Sequence, residues 1–369
     1  MPAAATPLVD LENLRTDVDA ALRAHLDRLR DEAVGIGAGT TALTEHVSTL
    51  LAGGKRLRAA FCYWSFRAHG GAATGPERDA VVRIGAALEL FQAAALLHDD
   101  VMDASDTRRG MPTAHRVFAA RHEDNAWTGD GERFGTAAAI LLGDLCLVAC
   151  QREAAAALDA VEPAVARTAR DLFDTMTSEV VVGQYLDVLV QAEPWGLDPA
   201  GDEERARTVL RSKSARYSVE RPLTLGAVLA GADPEQVAAI SAVGLPVGEA
   251  FQLRDDLLGV FGDPAVTGKP AGDDLREGKH TVLVARTLAD GDDEARALLA
   301  KHLGDPDLSD ADVTALRETI TASGAVEDVE ALIDELATGA LGRLEASDLR
   351  SPGREVLADL ARVAVNRRA

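Results

Sequence analysis

Residues 88–110 read LELFQAAALLHDDVMDASDTRRG, and this stretch decides the fold. It begins as an apolar, helix-forming run and ends in three acids, Asp99, Asp100 and Asp103. Residues four apart share one face of a helix, so Asp99 and Asp103 are expected side by side, with Asp100 next to them. The stretch therefore predicts an apolar helix that ends in a crowded acidic cluster.

Crowded acids repel one another, and each raises the pKa of its neighbours. A hard divalent cation removes that penalty, because Mg²⁺ typically binds one or two carboxylates together with substrate phosphates and water. A solvated acidic helix end is the alternative interpretation, and residues 88–110 alone do not separate the two.

The composition of the 369-residue chain indicates an all-α protein. Alanine and leucine are abundant, aromatic residues make up only 4 %, and helix formers recur at three- and four-residue spacing. Length alone permits two domains, but no long linker interrupts the chain, so we expect a single domain, 1–369. The net charge of −22 argues against nucleic acid or an anionic membrane as partner.

The segments that report on location favour the cytoplasm. The N-terminus lacks the basic region and apolar core of a secretory signal, and we find no uncharged apolar run long enough to cross a bilayer. Three cysteines, Cys62, Cys146 and Cys150, suit a reducing compartment. Cys146 and Cys150 share a helix face, and their apolar surroundings favour small core residues over a metal pair.

Two further regions carry charge in a distinctive pattern. Residues 53–59, GGKRLRA, join a glycine pair to three cations at the start of a helix, which is typical of an anion site but weak by itself. Residues 251–259, FQLRDDLLG, repeat the apolar helix that ends in paired aspartates. A repeated pattern makes two solvated acidic patches the poorer explanation. The charged residues that follow the second pair are Lys269, Asp273, Asp274 and Lys279.

The remaining chain predicts helices separated by two surface loops, at Arg121–Arg133 and Glu193–Glu203. We expect the acidic helix to start near Pro76, and we expect Gly143-Asp144 to interrupt the helix Phe134–Val148. Gln184 and Asp187 lie one turn apart on another helix. They either line a polar cavity or bond to a neighbouring helix.

Taken together, these motifs suit a ligand with a diphosphate head and a hydrocarbon tail, and the chain resembles the trans-isoprenyl diphosphate synthases, the polyprenyl synthetase family. The resemblance covers nearly the whole chain. Its D-D-x-x-D motif stands as Asp99, Asp100 and Asp103, and F-Q-x-x-D-D-x-x-D stands at residues 251–259. The chain departs from the family at Gly259, the last position of the second motif, and at Ala59, the closing proline of G-G-K-R-x-R-P.

The resemblance implies a bundle of antiparallel helices around a central hydrophobic cavity, the isoprenoid synthase type I fold. It implies a homodimer and three Mg²⁺ ions, with Mn²⁺ as a substitute, bound by Asp99, Asp103 and Asp255. The implied substrates are isopentenyl diphosphate and the allylic dimethylallyl, geranyl and farnesyl diphosphates. The other residues with implied roles are Asp100, Asp256 and Asp274 in support of the metal, Arg108, Lys213 and Lys269 for the allylic diphosphate, Lys55, Arg58, Gln92 and Arg109 for isopentenyl diphosphate, and Ser214, Gln252, Lys279, Gln184 and Asp187 around the pocket.

Product length is argued from the acidic helix. If the tail grows toward the helix N-terminus, it first meets Ala95 and Ala94, which are too small to stop it. Phe91 follows three residues beyond Ala94, about 4.5 Å deeper at 1.5 Å per residue, or roughly one isoprene unit. We therefore expect a C20 product, geranylgeranyl diphosphate, with Phe91 as the floor.

Three alternatives remain beside this interpretation. A longer- or shorter-chain synthase (C15, or C25 and above) differs only in the floor. A non-catalytic regulatory subunit of a heteromeric synthase usually has eroded aspartate motifs, and here only Gly259 is eroded. Class I terpene cyclases share the first motif, but their N-D-x-x-S-x-x-x-E motif is absent from this sequence. His98 is expected to pack rather than to act as a base.

Overall fold

A computed structural model describes residues 8–263, 272–305 and 307–366, and helices dominate this part of the chain. The all-α class predicted from composition is confirmed. A 3₁₀ segment, Leu8–Asn13, opens the described chain, and a short antiparallel ribbon pairs β1, Thr107–Arg108, with β2, Met111–Pro112. The α-helices are α1 Leu14–Ile36, α2 Thr41–Ala52, α3 Leu57–Ala68, α4 Pro76–Met102, α5 Ala114–Asp124, α6 Gly131–Leu158, α7 Pro163–Ala192, α8 Pro199–Val209, α9 Arg221–Leu229, α10 Pro234–Phe261, α11 Asp273–Arg276, α12 Val282–Asp290, α13 Asp293–His302, α14 Asp310–Ala322, α15 Ala325–Glu345 and α16 Gly353–Val365.

Helix α4 is the central helix of the core. It starts at Pro76 as predicted, since proline suits the first helical turn, and it packs most extensively against α6. By length and composition, α4 and α6 could each span a bilayer, although both helices carry charged residues such as Glu89 and Asp144. However, 78 % of the apolar window of α4 is buried inside the fold, as in the core helix of a globular protein.

Helix α6 runs without the interruption predicted at Gly143-Asp144. Gly143 instead allows close packing, because a Cβ there would lie 2.2 Å from His98 Nε2 on α4. That nitrogen lies 3.1 Å from the Ile140 carbonyl oxygen, so His98 packs between helices as expected. Both predicted surface loops were too long: α5 and α6 take the ends of residues 121–133, and α8 begins at Pro199.

A π-helical segment, Leu210–Glu220, joins α8 to α9. Such wide turns are uncommon and occur frequently at functional sites. Gly183 on α7 permits its close approach, since a Cβ there would lie 2.5 Å from the Lys213 backbone nitrogen. Short-range packing around this segment therefore fixes where the side chains of Lys213 and its neighbours lie.

Candidate active site

A cavity of about 1050 Å³ opens between α3, α4, α7, the π-helical segment and α10. Two candidate groups meet in it, because α4 and α10 each place their aspartates at its polar end. Most of the predicted site residues within the described ranges line its wall: Asp99, Arg108, Lys213, Asp255, Asp256, Lys55, Arg58, Gln92, Arg109, Ser214, Gln252, Lys279, Gln184, Asp187, Asp274 and Ala95. Lys269 lies outside the described residues.

The first acidic cluster is built on the last turn of α4. Arg108 Nε donates to Asp100 Oδ1 at 2.5 Å, and its NH2 group donates to Asp99 Oδ2 at 3.3 Å. Asp100 and Asp103 do not line the cavity wall itself. The Asp103 side chain is 4 % exposed, and its Oδ2 lies 3.5 Å from Lys279 Nζ and accepts no hydrogen bond from the described part of the chain.

The surroundings shift the pKa values of Asp99 and Asp103 in opposite directions. Burial opposes the ionisation of Asp99, but the charges of Lys213, Lys279 and Arg108 outweigh it and lower the pKa of that carboxyl. For Asp103, burial and then the negative charge of Asp99 raise the pKa to about 7. Asp103 is therefore the member of the cluster that most lacks positive charge.

The second acidic cluster lies at the end of α10. Gln252 Nε2 donates to Asp256 Oδ1 at 2.8 Å. Burial and then the charge of Asp274 raise the pKa of Asp256 to about 7. Asp274 comes from α11, and its carboxylate occupies the space beside Gly259, where a Cβ would lie 1.8 Å from Asp274 Oδ2. The departure at Gly259 thus leaves room for an aspartate from another helix.

Two lysines connect the acidic groups across the cavity. Lys213 Nζ donates to Asp99 Oδ1 at 2.8 Å and to Asp187 Oδ2 at 2.6 Å. Lys279 Nζ lies within 3.5 Å of carboxylate oxygens of Asp103, Asp274 and Glu277. Burial opposes the charge on both lysines, but the carboxylates outweigh it and raise the pKa of each. Both ammonium groups therefore stay charged.

The cations of the glycine-rich motif divide into two roles. The Arg56 side chain is 4 % exposed and forms ion pairs with Asp19 and Glu89, so it ties helices together. Arg58 lines the cavity, donates to Ser218 Oγ at 2.8 Å and lies 4.3 Å over the ring centroid of Tyr217. All three cations of residues 53–59 line the cavity, but the Arg56 guanidinium is already paired with two carboxylates.

Polar side chains deeper in the wall have unused hydrogen-bonding capacity. Gln92 Oε1 and Gln184 Nε2 are buried and have no hydrogen-bond partner among the described residues. Gln184 and Asp187 both line the polar cavity, and Asp187 also bonds to a neighbouring helix by accepting from Lys213, so the two possibilities left by the sequence occur together. Such unpartnered buried atoms are costly unless a ligand or water satisfies them.

The residues proposed to limit tail length are only partly placed as expected. Ala95 lines the cavity, whereas Phe91 and Ala94 are each 2 % exposed and do not line it. The Phe91 ring packs edge-on against Tyr217, with centroids 5.8 Å apart. Phe91 and Ala94 thus lie off the cavity-lining face of α4, which consists of Glu89, Gln92, Ala95, Leu96 and Asp99.

Sequence reasoning missed several residues of this site. Tyr217 follows Lys213 by four positions, so helical spacing alone could have placed both on one face. Glu277 stands between Asp274 and Lys279, and its side chain is 6 % exposed. Nothing in the sequence indicated that Trp195, in a predicted surface loop, stacks on cavity-lining His280 with ring centroids 4.4 Å apart.

Within residues 8–263, 272–305 and 307–366, no three His, Cys, Asp or Glu side chains come close enough to bind a metal ion by themselves. The arrangement offers carboxylate oxygens from two helices on either side of a gap, with lysines between them. Mg²⁺ commonly uses one or two carboxylates and takes its other ligands from substrate phosphates and water.

The chain is similar in sequence and in structure to known prenyl diphosphate synthases. The polyprenyl synthetase family model matches residues 40–320. A geranylfarnesyl diphosphate synthase of Aeropyrum pernix is 33 % identical over 81 % of this chain and 86 % of its own, and an octaprenyl diphosphate synthase of Escherichia coli is 31 % identical over 85 % and 86 %. A geranylgeranyl pyrophosphate synthase of Corynebacterium glutamicum, solved with isoprenyl diphosphate and magnesium, is 38 % identical, with a TM-score of 0.90 over 98 % of this chain and 100 % of its own.

Proposed function

The chain belongs to the polyprenyl synthetase family and is a trans-prenyl diphosphate synthase, and from that premise we propose that it makes geranylgeranyl diphosphate. The proposed reaction is the Mg²⁺-dependent condensation of isopentenyl diphosphate with allylic diphosphates up to C20. One observation carries it: aspartates from two helices and several cations line one cavity, together with apolar side chains that include Ala95, Val180 and Leu210.

The residues present fit a divalent metal. Asp99, Asp103 and Asp255 supply oxygen ligands, and the buried Oδ2 of Asp103 has no hydrogen bond among the described residues. We propose that these three aspartates hold three Mg²⁺ ions, for which Mn²⁺ can substitute. When bound, the metal supplies Lewis-acid stabilisation of the diphosphate leaving group. Asp274 is proposed to supply the carboxylate that Gly259 lacks, with Asp100 and Asp256 in support.

The cations are proposed to bind two diphosphates. Arg108 and Lys213, with Lys269, would hold the allylic diphosphate, and Lys55, Arg58, Gln92 and Arg109 would hold isopentenyl diphosphate. Arg108 and Lys213 donate to Asp99 in this structure, so phosphate oxygens would replace a carboxylate as their acceptor. Ser214, Gln252 and Lys279 are proposed to complete the polar end of the pocket.

The proposed chemistry starts when the allylic C–O bond breaks and its electron pair leaves with the diphosphate. The cations hold that charge, so catalysis is electrostatic and uses no side-chain nucleophile. The alkene of isopentenyl diphosphate then bonds to C1 of the allylic cation, and the departing diphosphate takes the proton that restores an alkene. The apolar wall keeps water from quenching the cation.

Tail length is proposed to depend on α4. Ala95 forms the wall below Asp99 and is too small to stop a growing tail. A C20 tail would need the cavity to extend along α4 toward Ala94 and Phe91, and we propose that Phe91 ends it there. The Phe91→Ala variant is then expected to release longer products, and Ala95→Phe shorter ones. Unchanged products in both variants would place the floor on another helix.

We also propose that the chain, 1–369, is a single domain that forms a homodimer in the cytoplasm. One continuous hydrophobic core supports the single domain, and the buried free thiols of Cys62, Cys146 and Cys150 suit a reducing compartment. Large apolar side chains exposed on α6 and α7 support a second copy as partner, since exposed apolar surface marks interaction sites. These side chains are Ile140, Leu141, Val148, Val181, Val182, Tyr185 and Val188.

Product analysis tests the proposed function. Purified protein is incubated with Mg²⁺, isopentenyl diphosphate and each of the C5, C10 and C15 allylic diphosphates, and the chain length is measured after dephosphorylation. We expect C20 from all three primers and no turnover with EDTA. Dominant C15 or longer chains would overturn the C20 assignment. No product from folded protein would support the regulatory-subunit alternative instead.

A further inference from the structure

A hydrogen bond connects the two halves of the acidic site through residues that the proposed mechanism does not use. Ser105 Oγ donates to Glu277 Oε1 at 2.8 Å across 172 positions of the sequence. Ser105 is 7 % exposed and follows the first acidic cluster, whereas Glu277 follows α11 and the second. The bond therefore links the end of α4 directly to the end of α11.

Both ends of this bond are held from behind. The Ser105 backbone N–H donates to the Asp100 carbonyl oxygen at 3.0 Å, and Thr113 Oγ1 donates to the Ser105 carbonyl oxygen at 2.8 Å. On the other side, the Glu277 backbone N–H donates to the Asp273 carbonyl oxygen at 2.9 Å. Because both main chains are fixed, the side-chain bond sets a distance between two rigid elements.

Glu277 also holds the lysine that lies between the acidic clusters. Its Oε2 lies 2.5 Å from Lys279 Nζ, closer than the oxygens of Asp274 at 3.3 Å or Asp103 at 3.5 Å. If Asp103 and Asp274 turn their oxygens to a metal, Lys279 keeps a carboxylate partner in Glu277. A buried ammonium left without a partner would be strongly unfavourable.

We infer that Ser105 and Glu277 are positioning residues that fix the separation of the two acidic clusters and the place of Lys279 before metal and diphosphate bind. This inference rests on the proposed function, because it assigns these residues a task toward the same metal site. Partners of this kind behind metal ligands typically change metal affinity by about 10- to 100-fold when they are removed.

The test measures Mg²⁺ binding rather than turnover. Thermal unfolding is followed while Mg²⁺ is titrated in the presence of inorganic pyrophosphate, and the Mg²⁺ concentration at half of the full stabilisation is compared between variants. We expect Ser105→Ala and Glu277→Gln each to raise that midpoint about tenfold. Ser105→Thr keeps the hydroxyl and is expected to restore it to within about threefold. At high Mg²⁺, most of kcat should return in Ser105→Ala.

Two buried groups away from the cavity provide matched controls. Ser65 Oγ donates to the Leu223 carbonyl oxygen at 2.6 Å, and Glu153 is a buried carboxylate paired with arginines. Ser65→Ala and Glu153→Gln are expected to lower the unfolding temperature but leave the Mg²⁺ midpoint unchanged. Should Ser105→Ala fail to fold, Glu277→Gln decides alone.

The outcomes separate this inference from the proposed function. Midpoints equal to those of the unmodified protein in Ser105→Ala and Glu277→Gln would overturn the positioning role while the proposed function stands. If the unmodified protein gives no response to Mg²⁺ and pyrophosphate, both fall together. A raised midpoint in the two control variants as well would show a general loss of stability and also overturn the inference.

Discussion

Two buried carboxylates in this molecule have opposite surroundings. Glu153 on α6 is 2 % exposed and contacts three basic side chains: His25 Nδ1 and Arg83 Nε at 2.7 Å and Arg28 NH2 at 3.3 Å. Asp103, directly after α4, has a side chain that is 4 % exposed, and the basic group that the described contacts place beside it is Lys279 at 3.5 Å. Burial would raise the pKa of Glu153, but hydrogen bonds from His25 and Arg83 lower it to about 2, whereas the pKa of Asp103 rises to about 7.

The contrast separates a carboxylate that stabilises the fold from carboxylates that are proposed to bind metal. Glu153 joins α6 to α1 and α4, and its charge is fully paired. Asp103, like Asp256, has acidic neighbours whose charge raises its pKa. Positive charge is therefore missing where the metal is proposed, and abundant where only structure is at stake.

Replacing Asp103 gives the largest expected effect, because it removes the poorly neutralised carboxylate of the pair Asp103 and Glu153. Asp103→Asn should lower kcat/KM by about 10²- to 10³-fold, because a proposed metal ligand is lost. In the same variant the metal-free fold should gain about 1–3 kcal/mol in free energy of unfolding, since a poorly neutralised carboxylate is removed. Steady-state kinetics with Mg²⁺ and urea unfolding with EDTA measure the two changes. A loss of stability would contradict this view of Asp103.

Replacing Glu153 should do the reverse. Glu153→Gln is expected to lose about 3 kcal/mol of unfolding free energy at pH 7 and to keep its kcat. The pKa of Glu153 is depressed in the folded state, so its contribution is present above its ordinary pKa of about 4.5 and is lost as the pH falls toward 2. Urea unfolding of Glu153→Gln and of the unmodified protein, at pH 7 and below pH 4.5, measures how the difference in their unfolding free energies decreases. A difference that does not depend on pH would show that the variant loses packing rather than charge pairing.

A substitution at Gly259 tests whether the second acidic cluster, which has too little positive charge around it, depends on the position of Asp274. Gly259→Ala places a Cβ where the Asp274 carboxylate now lies, so that carboxylate must rotate away, and kcat/KM should fall about tenfold. A Cβ at Gly342 on α15 would have open space around it, with no atom of a neighbouring described element within 4 Å, so Gly342→Ala is the matched control. It should be neutral or stabilise the helix by up to about 1 kcal/mol. Equal kinetics in both variants would remove Asp274 from the site.

The smallest expected effect concerns Arg28, the most exposed of the three basic partners of Glu153. The Arg28 side chain is 58 % exposed and contacts Glu153 at 3.3 Å. Arg28→Ala should therefore cost less than about 1 kcal/mol in urea unfolding, because water screens exposed ion pairs. A larger loss would mean that all three partners are needed to keep Glu153 ionised.

The sequence predicted most of what depends on local pattern. Apolar periodicity and Pro76 located α4, and the paired aspartates located the polar end of the cavity. It failed where a distant residue decides the local structure. Gly143 was predicted to interrupt its helix, whereas it makes room for His98 of a neighbouring helix. That contact arises only from tertiary packing, so the local sequence could not reveal it. The ion pairs of Arg56 with Asp19 and Glu89 could not be predicted either, because both acids lie far from it in sequence.

The sequence analysis missed residues of the site for the same reason, because their contacts join distant parts of the chain. Ser105 and Glu277 are separated by 172 positions, and no spacing rule connects them. Trp195 and His280 meet only because the chain after α7 folds back over the residues that precede α12. Charged motifs reveal which chemistry a chain can support, whereas the contacts that hold those motifs apart require the folded structure.

The π-helical segment has a consequence for how this enzyme tolerates changes in length. Lys213, Ser214, Tyr217 and Ser218 all line the cavity from within Leu210–Glu220. Removing one residue between Lys213 and Tyr217 would shift every later residue of the segment by one position around the helix axis, so Tyr217 and Ser218 would leave the face that Lys213 occupies. Single-residue deletions should therefore abolish activity throughout this segment, whereas substitutions at positions that face away from the cavity should retain activity. The length of the segment thus constrains function more than the identity of its outward residues.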